Sequence, residues 1–216
     1  MSRSSTIWII RTVILVSSWP TLLAGSHATA ATITISIDDR AHIGCKTLER
    51  AEGVATGIFA VAGVDIHWTR PVSDAMDQLR DFSAVPAGGC ARPPASGSVR
   101  VEILPHAPNG FAPQALGYSL PCVRRGVQVT IYADRVEAVS SHTVAVFYRV
   151  LAYALTHELG HVLLRSLSHD QSGLMKAVWS KGDWQRAAVA TIPFTPDEAT
   201  RMAEGLPGTE RAGGLR

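Results

Sequence analysis

The sequence predicts an α/β (α+β) fold built on a mixed, twisted sheet with helices packed on it. Three observations carry the prediction. Short β-branched runs recur along the chain: TITISI (32–37), VDIHW (64–68), VRVEIL (99–104) and VQVTIYA (127–133). Two longer segments, 45–62 and 143–164, space their apolar residues three and four apart and alternate with those runs. A further short run, LGYSL (116–120), lies between Pro113 and Pro121 and contains Gly117, which suits a sheet edge and not its centre. At 216 residues the chain can bury a sizeable core, and one domain is the default.

Taken in order, residues 1–30 stand apart. Arg3 gives a positive start, and an apolar run over 7–23 is interrupted by Arg11, a few small polar residues and Pro20. Ser26, Ala28 and Ala30 then supply the small residues a signal peptidase reads. The segment reads as a secretory signal, so the mature chain is expected to be exported, secreted or periplasmic. An uncleaved N-terminal membrane anchor is the alternative; Arg11 and Pro20 make the run marginal for about 30 Å of hydrocarbon.

A single domain is expected over 31–206. Its first strand is 32–37. A helix follows over 45–62, with Leu48, Ala51, Ala55, Ile58, Phe59 and Ala62 on one side and Gly63 as its stop. Residues 64–68 form the next strand, 74–94 a loop rich in Pro, Gly and Ala, and 99–104 a third strand. After the edge run at 116–120 and the strand at 127–133, a long helix over 143–164 is expected, capped by Ser140 or Ser141 and apolar on nearly every side, so buried against the sheet. Past Met175 the chain reads as irregular until Thr195, Pro196 and Glu198 form a capping box that starts a C-terminal helix ending near Leu206. The Gly-rich tail, 207–216, is expected to be flexible.

Charge excludes some partners. Removing 1–30 takes Arg3 and Arg11 from the 20 basic residues and nothing from the 18 acidic ones, which leaves the mature chain formally neutral. No basic run or patch is present, so neither nucleic acid nor a membrane surface is an expected partner. Of Cys45, Cys90 and Cys122, one disulfide is expected in an oxidising compartment, with Cys90 and Cys122 the preferred pair because both lie in loop-like sequence.

The chemistry concentrates in THELGHVLLRSLSHDQSGLM (156–175). His157 and His161 are four apart on the predicted helix, so both imidazoles share one face and can grip one ion. Imidazole suits zinc, which imposes no geometry of its own. Glu158 fits a general base acting on water at the metal rather than a ligand. A catalytic zinc needs a third protein ligand; His169, beyond a chain reversal at 165–168, is the first candidate and Asp170 the alternative. Histidines on an apolar helix can also be core residues, but burying Glu158 without a partner would cost several kcal/mol, which favours function. His42, His67 in a strand, and His106 and His142 in loops read as surface or satisfied histidines. Asp183, Trp179 and Trp184 are candidates for a cleft wall, Trp179 more for the core.

The run HELGHVLLRSLSH followed by SGLM resembles the metzincin zinc endopeptidases, whose pattern is H-E-x-x-H-x-x-G-x-x-H and then a methionine-containing turn. It is also similar to a group of exported bacterial proteins that carry H-E-[LI]-G-H, a late histidine and GIM or GLM, and in which an IF..AG run and a tryptophan follow the first helix; GIFAVAGVDIHW (57–68) fits that. The resemblance implies His157, His161 and His169 as ligands of one catalytic zinc, Met175 as the turn methionine, and Gly117, Tyr118 and Ser119 on a short edge strand over the cleft that pairs with extended substrate. Two departures stand out: the family's helix-ending glycine position holds Leu164, and the third histidine comes two residues later. The expected protein is a monomeric, exported zinc-dependent endopeptidase acting on peptide or protein substrates. The alternative is an exported zinc- or peptide-binding module without turnover, which the intact Glu158 disfavours.

Overall fold

The computed structural model describes residues 31–71, 98–123, 126–143 and 146–206. The expected signal segment, the 74–94 loop with Cys90, and the tail lie outside the described residues. The elements run β1 (Ala31–Asp39), α1 (Cys45–Val61), β2 (Val64–Thr69), β3 (Ser98–Leu104), β4 (Gly117–Ser119), β5 (Val129–Tyr132), α2 (Ala133–His142), α3 (Phe147–Leu164), α4 (Lys181–Val189) and α5 (Pro196–Gly205). Five strands form one sheet in the order β2-β1-β3-β5-β4. β1, β2, β3 and β5 are parallel, and β4 joins β5 antiparallel at the edge.

Strand periodicity decides which face is covered. Ile33, Ile35 and Ile37 of β1 and Val99, Val101 and Ile103 of β3 are fully buried, while their alternate neighbours are at least partly open. α1 and α3 pack against each other and share one core with these side chains. α3 is apolar almost all round, and Val150, Leu151, Leu155 and Leu159 are completely removed from solvent. Each such side chain contributes roughly 1.5–3 kcal/mol of burial. Gly63, at φ +76, turns the chain from α1 into β2, and the Trp68 indole N–H then donates to Thr56 Oγ1 at 2.8 Å to tie strand to helix.

Gly117 carries the edge strand. A Cβ there would run into the Thr130 carbonyl oxygen and the Ile131 side chain, so only glycine lets β4 lie this close to β5. Cys122 is disulfide-bonded and Cys45 is a free, exposed thiol. Among the described residues no helix is long and apolar enough to cross a membrane.

The structure differs from the sequence reading in three places. The strand expected over 127–133 stops at Tyr132, and α2 follows without a break, its Asp134 carboxylate accepting from the Ala107 N–H. Ser140 and Ser141 therefore end α2 instead of capping the long helix, and His142 is helical. α3 begins after Val146 with no side-chain cap. The stretch after Met175, read as irregular, contains α4, whose capping box joins Ser180 and Asp183. Asp183 thus caps α4, and it is not among the residues lining the cleft described below.

Asp183 accepts from Lys176 Nζ at 2.7 Å and from Ser180, and pairs with Arg186. Burial alone would raise its carboxyl; the bonds from Lys176 and Ser180 outweigh burial and hold the pKa far below the usual carboxylate range. A depressed folded pKa stabilises above the unfolded value of about 4 and is lost as pH falls below it. Asp183→Asn is therefore expected to lower stability at neutral pH by about 2 kcal/mol, read as a fall in the thermal midpoint. The gap to wild type should narrow steadily as pH falls below about 4. An unchanged gap over that range would remove the ion pair from the account.

Candidate metal centre

α3 carries His157, Glu158 and His161 on its last two turns. The helix ends at Leu164, and Arg165 takes the left-handed conformation at φ 51 and ψ 39. The reversal for which the metzincin pattern uses glycine is made here by an arginine. Several bonds secure it: the Arg165 N–H donates to the Val162 carbonyl at 3.3 Å, the Ser166 N–H donates to the His161 carbonyl at 3.1 Å, and the Arg165 guanidinium donates to the Gly205 carbonyl at the end of α5 at 2.9 Å. Beyond it the 170–176 loop closes on itself, with the Asp170 N–H on the Met175 carbonyl at 2.9 Å.

These two bends orient the imidazoles. His161 Nδ1 lies 2.7 Å from the Ser166 carbonyl oxygen, and His157 Nδ1 lies 3.0 Å from that of Leu174. A carbonyl can only accept, so each Nδ1 carries the proton and each Nε2 presents a lone pair. Those Nε2 atoms stand 3.1 Å apart, and His161 Nε2 is 3.3 Å from His169 Nε2. One ligand atom from each histidine falls within 4.8 Å of the others. Lone pairs facing each other at this distance repel unless a cation sits among them. Zinc bonds of about 2.0–2.1 Å at tetrahedral angles separate ligand nitrogens by about 3.3 Å, close to the His157–His161 and His161–His169 separations. Burial lowers the His157 pKa to about 4, the Leu174 bond opposing, with His161 and His169 adding to the fall. Burial lowers His161 as well. Neutral imidazoles are the metal-binding form.

Met175 is buried beneath this turn of α3. A Cβ on Gly160 would approach the Met175 sulfur to 2.6 Å and Phe194 Cε1 to 2.9 Å. The glycine inside HELGH is therefore what lets Met175 and Phe194 reach the helix. Gly160→Ala is expected to overpack the site, lowering stability by about 1–3 kcal/mol and weakening metal binding with it, as read by thermal unfolding with and without zinc. A variant as stable and as metal-competent as wild type would remove this packing argument.

Glu158 faces a cleft of about 660 Å³. Its walls include β4, the histidines, Leu167, Val178, and the indoles of Trp179 and Trp184. The indole rings lie 4.7 Å apart between centroids, tilted at 42°, and Trp179 lies 5.0 Å from the ring of Tyr153. Burial raises the Glu158 carboxyl to about 7, and the nearby Ser119 hydroxyl holds back part of the rise. A carboxylate poised near neutrality suits proton transfer.

The structure brings together His157, His161, His169, Glu158, Met175 and the edge strand Gly117, Tyr118 and Ser119. Asp170 is not among the converging donors; its carboxyl faces Glu198, whose pKa is raised by burial and by Asp170. His67 is exposed on β2, and His106 stands 3.9 Å from Asp134 at the surface. Sequence reasoning placed the chain reversal at 165–168 but missed Gly160 and the carbonyls of Ser166 and Leu174. Gly160 had a signal, a glycine inside a buried helix; backbone carbonyls leave none.

No protein-family model matches the chain, and no curated protein matches it. Similar solved structures include a zinc-dependent peptidase from Methanocorpusculum labreanum (10% identity, TM-score 0.48, covering 79% of this chain and 99% of that one). Archaemetzincin from Methanopyrus kandleri is similar at 16% identity and TM-score 0.45, over 83% of this chain and 97% of that one. Metalloproteinase-II from Bacteroides fragilis is similar at 15% identity and TM-score 0.46, over 84% of this chain and 55% of that one.

Proposed function

We propose that this protein is an exported zinc-dependent endopeptidase in which His157, His161 and His169 hold one Zn²⁺ and Glu158 is the general base. The observation that carries the reading is the convergence of three imidazole nitrogens, two with their protons fixed away from the centre by backbone carbonyls, beside a carboxylate in an open cleft. Zinc bound there supplies Lewis acidity that lowers the pKa of water and polarises a carbonyl. Glu158 takes the proton of the attacking water and hands it to the leaving amine. The outer edge of β4, unpaired among the described residues on the side away from β5, offers backbone N–H and C=O groups to an extended peptide, and the indoles give the cleft an apolar wall. Export follows from the signal-like 1–30 segment.

The test is zinc content followed by turnover. The purified mature chain is expected to hold one zinc per molecule and to cleave an unfolded protein substrate. A chelator should stop cleavage and added zinc restore it. A chain that holds zinc and cleaves nothing in a broad peptide library is a binding module; a chain that takes up no zinc ends the reading.

A further inference from the structure

Gly117 and Ser119 are buried on the side of β4 that meets α3, and Tyr118 alternates to the other side. Gly117 has no side chain, so Ser119 is the one side chain β4 directs at the motif helix. It is 5% exposed, its Oγ is out of solvent, and that oxygen has no hydrogen-bond partner among the described residues. Ser119 and Glu158 line the same cleft from opposite elements. A buried hydroxyl without a partner is uncommon and calls for an explanation. Hydrogen bonds at catalytic groups are often long before substrate or cofactor arrives and tighten afterwards. Packing alone does not account for the choice: alanine would fill the space and leave nothing unpaired.

We propose that the Ser119 hydroxyl donates a hydrogen bond to the Glu158 carboxylate and aims it at the attacking water, which makes Ser119 a positioning residue of the edge strand. The inference rests on the endopeptidase reading and adds a side-chain task to a strand otherwise expected to act through its backbone. The bond fixes a carboxylate that has rotational freedom, so its loss falls on the chemical step and not on substrate binding.

The experiment compares wild type, Ser119→Ala and Ser119→Thr as full mature chains loaded with zinc. Ser119→Ala is expected to lower kcat about tenfold to a hundredfold with KM and zinc content unchanged. Ser119→Thr, which keeps the hydroxyl, should recover most of the loss. A Ser119→Ala enzyme with wild-type kcat overturns the proposal, as does a Thr variant no better than Ala while equally folded. A crystal structure of the zinc-loaded wild type gives a second reading independent of turnover. Ser119 Oγ within about 3.2 Å of a Glu158 oxygen supports the proposal, and a hydroxyl turned away overturns it. If the wild type binds zinc without cleaving, the endopeptidase reading fails, and that distance still decides Ser119.

Discussion

Replacing Glu158 by glutamine is expected to cut peptide-bond cleavage by about three orders of magnitude while the zinc content stays at one per chain. The amide has nearly the same shape and fills the same place in the cleft, so the imidazoles beside it keep their geometry. It has no affinity for a proton near neutral pH, and a positioned general base is worth about 10²–10⁴ in rate. The separation of effects is what tests the assignment. His157 and His161 are held through Nδ1 by the Leu174 and Ser166 carbonyls, and Glu158 has no part in either bond. Loss of cleavage together with loss of zinc would make Glu158 a ligand or a folding residue. Retention of cleavage would remove it from the chemistry. Both readouts come from one preparation: metal analysis and initial rates on an unfolded substrate.

The second large effect is expected at the histidines, and it should be unequal among them. His161 is buried, sits in the last turn of α3 where the helix's partial negative charge favours a cation, and is locked by Ser166. His169 lies on the exposed loop past the reversal. Among the bonds described above, no carbonyl fixes its ring. His161→Ala should weaken zinc binding by more than about a hundredfold, beyond what loss of an outer-shell partner costs. His169→Ala should retain measurable zinc, because two oriented imidazoles remain and an exposed position admits water. Competition with a chelating dye reads both affinities. Equal losses would show His169 to be as firmly held as the helical pair. Wild-type affinity in His161→Ala would leave the zinc site without a basis.

Much of this site is legible along the chain because its strongest constraint is local. A spacing of four on a helix fixes two imidazoles on one face whatever surrounds them, so His157 and His161 are readable from residues 156–161 alone. The parallel strands are equally local: alternation in TITISI and VRVEIL marks the buried face. The strand-to-helix junction at Tyr132–Ala133 escaped because no Gly, Pro or capping side chain marks it, and the β-branched run leads straight into α2. α4 escaped because its apolar signal is weak, though the Ser180–Asp183 spacing was there to read.

The sequence by itself determined the chemistry available: which imidazoles sit one turn apart, which carboxylate stands between them, and which strand has an edge. Only the tertiary structure decided which of His169 and Asp170 meets the helical pair. That choice is made by Arg165 in a left-handed bend and by a 170–176 loop closed on its own backbone, and a bend's direction depends on what packs beneath it. Here that is Met175 and Phe194 in the space Gly160 leaves open. Likewise only the fold set the tautomers of His157 and His161, because the deciding acceptors, the Leu174 and Ser166 carbonyls, belong to the backbone that every residue shares.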